Sequence, residues 1–194
     1  MPKQRTTLVY QFDELDEKAK ERAREWYRQG NWDDSFWSEC VIDDAKEIGK
    51  YMGIAIDNVY FSGFWSQGDG ACFEGTWRAS DVEVDKLKEY APQDKKLHRI
   101  VDGLAELAKE YPDGYFKVTH RGHYSHSGCT SFDVELPCEQ EEELECGSPE
   151  YKLLQVKLGE DEDTIIELAR DYMNWIYHTL EKEWEYENAD TQVD

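Results

Sequence analysis

A chain of 194 residues with seven Trp and twelve Tyr is long and aromatic enough to bury a core without disulfides or metal, which excludes disorder despite the charge. Its 22 basic and 44 acidic residues leave a net charge of −22, a field that repels nucleic acid and anionic membrane and favours basic partners. Direct DNA or RNA binding is not expected of such a chain.

The charge is unevenly placed. Asp133 to Asp194 hold 20 acidic and 4 basic residues, whereas the first 132 residues hold 24 and 18. The five cysteines, Cys40, Cys72, Cys129, Cys138 and Cys146, are odd in number and scattered. The N-terminus has no apolar leader-like core, and no run approaches the roughly 18 apolar residues of a membrane span. Together these features predict free thiols in a reducing cytoplasm. No linker or internal repeat divides the chain, so one domain over 1–194 is expected, with an acidic C-terminal third at 133–194.

Taken in order, Thr6–Phe12 alternates Leu8, Tyr10 and Phe12 and reads as an opening strand. From Asp13, the residues Leu15, Ala19, Ala23 and Trp26 recur at helical spacing, and Gly30-Asn31 stops that helix. A second helix is expected from Asp33 or Asp34 to about Met52, with Phe36, Trp37, Cys40, Val41, Ile48 and Met52 facing inward. Gly53 ends it, and Ile54–Asn58 leads into a hairpin.

That hairpin, Val59–Arg78, is the centre of the prediction. Gly68-Asp69-Gly70 forms its bend, where flanking glycines permit positive φ. Gly63 and Gly75 lie inside the arms, as at a bulge or a close backbone approach. Phe64, Trp65, Phe73 and Trp77 give it more apolar area than two strands hide alone, so helices must cover it.

Ser80–Glu89 reads as either strand or helix, closed by Pro92. Gln93–Tyr111 is the clearest helix, with Leu97, Ile100, Val101, Leu104, Leu107, Ala108 and Tyr111 on one face. Pro112-Asp113-Gly114 marks a turn, followed by strands at Tyr115–His120 and Thr130–Leu136. Pro137–Glu150 reads as an acidic loop and Tyr151–Leu158 as a short segment before Gly159. A last helix is expected from about Glu162 past Glu181, with Ile165, Leu168, Ala169, Tyr172, Ile176 and Leu180 inward and a fraying tail at 188–194. This order predicts an α+β fold, an antiparallel sheet built from hairpins with about four helices packed against it.

Three groups of residues invite chemical readings. His120, His123, His126 and Cys129 recur every third residue and are of the types zinc takes in a tetrahedron. On a strand, however, His120 and His126 share one face while His123 and Cys129 share the other, so convergence needs Gly122 and Gly128 to bend the segment. The alternative is a plain hairpin connection. Asp69 is the second candidate, but no lysine follows it in the P-loop pattern and SQGDG lacks the repeated ligands of a calcium loop. A turn aspartate bonding its own backbone explains it better. No nucleophile motif links the Ser, His, Asp and Cys residues; Cys72 has no evident base. No catalytic residue, cofactor or bound metal is therefore expected.

Acidity is the third group: Glu139, Glu141, Glu142, Glu143 and Glu145; Glu160, Asp161, Glu162 and Asp163; Glu181, Glu183, Glu185 and Glu187. At the start of the last helix, Glu160–Asp163 would be stabilised by the macrodipole. The remainder exceeds what solubility requires, since a net charge of roughly 2–8 suffices for a small domain. Duplex DNA presents one charge per roughly 1.7 Å, so a rigid acidic face could compete for a basic nucleic-acid groove. A surface that is merely soluble or salt-adapted is the alternative.

The segments FDELDEKAKERAREWYR (Phe12–Arg28), DDAKEIGKYMGI (Asp43–Ile54) and above all YFSGFWSQGDGACFEG (Tyr60–Gly75) resemble a family of small proteins carried by phages and prophages. Its members are often labelled "antitoxin of toxin–antitoxin stability system". The resemblance runs from Val9 to Leu107, implies a phage accessory protein in the host cytoplasm, and implies no catalytic residues. Joined to the charge, it predicts a non-enzymatic inhibitor of a host nucleic-acid-handling complex, such as a CRISPR effector or restriction enzyme. The acidic residues named above would form its contact surface. The alternatives are an antitoxin neutralising a cognate toxin and a metal-dependent enzyme using His120, His123 and His126.

Overall fold

A computed structural model describes residue 3 and residues 5–30, 36–138 and 144–193. The fold is α+β. Helices α1 (Glu17–Gly30) and α2 (Phe36–Tyr51) precede strands β1 (Met52–Phe61) and β2 (Ala71–Val82). Helices α3 (Val84–Tyr90) and α4 (Lys95–Glu110) then cross to β3 (Tyr115–His120) and β4 (Thr130–Glu135), and α5 (Pro149–Glu187) and α6 (Asp190–Val193) close the chain. The four strands form one antiparallel sheet in the order β1-β2-β3-β4.

One face of the sheet is apolar and covered. Met52, Ile54, Phe73, Trp77, Phe116 and Val118 are buried there against residues of α2, α3, α4 and α5, including Ile48, Leu87, Ile100, Leu104, Tyr172 and Ile176. Trp77 stacks on its register partner Phe116 (5.7 Å between centroids) and donates its indole N–H to the Met52 carbonyl (3.1 Å). The buried indole thus keeps its polar atom satisfied. The hydroxyl of Tyr172 likewise donates to the Ala45 carbonyl, tying α5 to α2 through the core. The opposite face is polar, as expected of an antiparallel sheet solvated on one side. There Arg78 lies over Tyr115 (5.3 Å) and Lys117 pairs in register with Asp133.

The hairpin arms form as the sequence predicts, but Gly63 falls in the loop rather than within a strand. Gly75 does lie in β2, where a Cβ would sit 2.2 Å from the Ala55 carbonyl oxygen, beside an irregularity in register between Ile56 and Asn58. Only glycine permits that approach.

Three expectations fail locally. Thr6–Phe12 is not a strand: among the described residues no strand lies alongside it, and Leu8 and Val9 are exposed. Trp26, Phe36 and Cys40 are exposed, because α1 adds no residue to the core and the buried stripe of α2 runs through Ser38, Val41, Ala45 and Ile48. Asp33 and Asp34 lie outside the described residues. Gly159 does not interrupt the last helix. Instead α5 begins ten residues earlier, with Ser148 as N-cap accepting from Tyr151 N–H (3.1 Å) and Pro149 in its first turn. After Asn188, α6 forms a short turn that is joined to α1 by the ion pair of Arg28 with Asp190.

Candidate functional site

The hairpin loop is built around Asp69. Its Oδ2 accepts the backbone N–H groups of Trp65 (3.0 Å) and Ser66 (2.6 Å), and its own N–H donates to the Ser66 carbonyl (3.1 Å). The carboxylate is spent on the turn, as the simpler sequence reading proposes. Gly68 takes a positive φ of 95°. The loop then folds onto the last third of α5. Trp65 meets Trp184 edge to face (4.5 Å), Phe64 lies between Trp184 (5.9 Å) and Tyr177 (5.6 Å), and the Tyr177 hydroxyl donates to the Gly63 carbonyl (3.1 Å). Trp65 stays 69% exposed. An aromatic surface thus borders the acidic end of α5.

The histidine-rich connection closes over this loop. His126 presses on Gly70, where a Cβ would lie 2.6 Å from the His126 Cβ, and Tyr124 covers Gly68. His120 stacks on Tyr60 (4.6 Å) and its Nε2 bonds the Tyr124 carbonyl (2.8 Å). His126 Nδ1 accepts from Gly128 N–H (3.1 Å), while its Nε2 lies 3.3 Å from Cys129 Sγ. A 3-10 turn at Ser127–Cys129 brings those two together, which the alternation of a strand does not anticipate. His123 contacts Tyr124 edge to face. Among the described residues no three His, Cys, Asp or Glu side chains converge on a position that would hold a metal ion. Cys72 is fully buried, and burial first, then proximity to Cys129 and Glu74, pushes its thiol up to about 12.

The acidic residues distribute in a way that the sequence reading only partly anticipates. Glu139, Glu141, Glu142 and Glu143 lie outside the described residues; Glu145 is exposed. Glu160, Asp161, Glu162 and Asp163 fall in the middle of α5, so the macrodipole does not account for them. At 3.6 residues per turn, Glu160, Asp163, Glu167, Asp171, Glu181 and Glu185 project away from the core stripe of Ile165, Ala169, Tyr172, Ile176 and Leu180. They form one outward row about 37 Å long, interrupted at Asn174 and His178. Glu162, Glu183 and Glu187 fall on the core's side of the helix, beyond either end of the stripe. Asp161 is part-buried and accepts from the Tyr111 hydroxyl (2.6 Å). Burial and that bond both raise the Tyr111 hydroxyl's pKa.

A second row lies opposite. Helix α4 runs antiparallel to α5, with Gly103 against Leu168, and places Asp102, Glu106 and Glu110 along the other lip of an open groove of about 910 Å³. Leu107 and Leu168 line it, and Asp161, Glu167 and Asp171 supply the α5 lip. Ion pairs of Arg99 with Asp171, Lys88 with Asp102 and Lys157 with Glu110 fix parts of both rows. Among the described residues no cation lies within ion-pair distance of Glu106 or Glu167. The sequence reading overlooked Glu167, Asp171 and the α4 row. Their signal was the i, i+4 spacing of Asp102, Glu106 and Glu110, and it needed the true start of α5 to pair it with the second row.

A family described as "Domain of unknown function (DUF8835)" matches residues 37–190. No curated protein and no solved structure matches the chain.

Proposed function

The chain belongs to the DUF8835 family, whose match takes in the sheet, the groove and all of α5, and from that premise we propose that it is a non-enzymatic acidic inhibitor carried by a phage. It acts in the host cytoplasm by occupying the basic nucleic-acid groove of a defence complex of the CRISPR-effector or restriction type. One observation supports this above the others. Two antiparallel rows of carboxylates run on rigid helices, Asp102–Glu106–Glu110 on α4 and the outward Glu160–Asp163–Glu167–Asp171 on α5, and Glu167 and Asp171 face the first row across the groove. Along each row the charges recur every three or four residues, about 4.5–6 Å of helix axis. Phosphates flank a duplex groove in the same manner, and a cationic cleft shaped for them meets here a ready set of anions. The exposed Trp65 beside the acidic end of α5 supplies an aromatic anchor of the kind that dominates binding energy. No helix among the described residues is long and apolar enough to cross a membrane.

The test is capture from a bacterial lysate on immobilised full-length protein, with and without competing duplex DNA. The proposal expects a nucleic-acid-binding complex that DNA displaces. Capture of a single small protein that DNA leaves in place would replace this reading with the antitoxin one. Capture unaffected by salt would remove the electrostatic basis altogether.

A further inference from the structure

The geometry points to a strand exchange between two copies of this chain, in which Thr6–Gln11 adds antiparallel to the β4 edge of a second copy. The arm has the composition of a strand and none of its contacts. Leu8, Val9 and Tyr10 are 80%, 88% and 59% exposed, and among the described residues nothing hydrogen-bonds to Thr6–Tyr10. An apolar, extended segment left in water calls for a partner strand.

The sheet offers two margins, and only one is fit to receive it. Strand β1 is irregular in register at two places, Met52/Ile54 and Ile56/Asn58, which blunts that edge. Strand β4 pairs with β3 through six successive residues without a break, and among the described residues no backbone bond from outside the sheet reaches Ser131–Glu135. Its length equals that of Thr6–Gln11, about 20 Å.

The faces match as well. In β4, Phe132 and Val134 point to the helix side and are only half-buried, while Ser131, Asp133 and Glu135 face the polar side. In the arm, Leu8 and Tyr10 alternate with Thr7, Val9 and Gln11, so one register continues both faces. Arg170 lies over Phe132 (5.8 Å) with its Nε buried and, among the described residues, without a hydrogen-bond partner, so that corner of the sheet is incompletely closed. Charge fixes the direction. Lys3 and Arg5 are the only charged side chains before Asp13, and an antiparallel arm with Leu8 opposite Phe132 sets Arg5 opposite Glu135. Exchange is reciprocal, so each dimer gains two such pairings.

Light scattering of the full-length chain across a concentration series, with amide hydrogen exchange on the same samples, tests this. The expected result is a dimer at high concentration, with amides of Thr6–Gln11 and Ser131–Glu135 becoming protected together. Val9 is 88% exposed and, among the described residues, without a hydrogen bond, so Val9→Pro removes a ladder donor while the fold survives and dimerisation is lost. Glu135→Lys should weaken the dimer, and Arg5→Glu in the same chain should restore it. A chain that stays monomeric, a dimer indifferent to Val9→Pro, or arm protection independent of concentration would each overturn the inference.

Discussion

Gly70 has no space for a side chain. Any Cβ there would meet His126 at 2.6 Å, against both its Cβ and its backbone, so the connection over the hairpin must lift to accept one. Gly70→Ala is predicted to destabilise the protein by about 1–3 kcal/mol in denaturant unfolding, the usual penalty for overpacking. An unchanged midpoint would mean that the His126 clasp contributes nothing. Glu74 sets a pH dependence at the same scale. The Tyr60 hydroxyl (2.8 Å), then His120 N–H (3.2 Å), bond its carboxylate and hold its pKa below the ordinary 4.5. A group lowered in the folded state stabilises above its unfolded pKa, and that contribution disappears as pH falls through the folded value. Glu74→Gln should therefore cost stability at neutral pH and next to none in strong acid, as paired unfolding curves would show. At this scale the sequence was a good guide. Asp69 closes its own turn and Gly75 accepts a close backbone approach, both as the local residue types imply.

Among the elements, legibility followed locality. Strands β3 and β4 were readable because alternation is bounded by a Pro-Asp-Gly turn before and a Leu-Pro stop after. Helix α4 was readable from its apolar face alone, and Asp94 caps it by accepting from Lys96 and Leu97 N–H (both 3.0 Å). Thr6–Phe12 was misread because alternation predicts what a strand's faces require, and says nothing about whether a partner is present. Gly159 was misread because glycine only weakens a helix, by about 1 kcal/mol relative to alanine. Here the cap at Ser148 and the core contacts from Ile165 onward carry the helix through it. A Cβ at Gly159 meets nothing within 4 Å, so Gly159→Ala should stabilise the protein by about 0.5–1 kcal/mol. A loss of stability on thermal melting would show that α5 is not continuous there. The meeting of Trp65 with Trp184 lay beyond any local reading, because chain separation carries no signal of contact.

For the whole molecule, the long helix decides where charge can sit. An α-helix of 39 residues is about 58 Å long, and α5 carries eleven acidic and four basic residues. Its core stripe pins one side, so the row from Glu160 to Glu185 faces outward on a scaffold that cannot collapse around a partner. The carboxylates do not all share that side, and those that turn toward the core's side, Glu162, Glu183 and Glu187, are predicted to matter less for binding. The decisive measurement is the affinity of the captured complex for a variant with Glu160, Asp163, Glu167 and Glu185 all changed to Lys, compared with the unaltered protein at physiological salt. All four side chains are exposed, so circular dichroism should show the fold intact. The account predicts a loss of at least about tenfold in affinity. Equal affinity of the two proteins would contradict it.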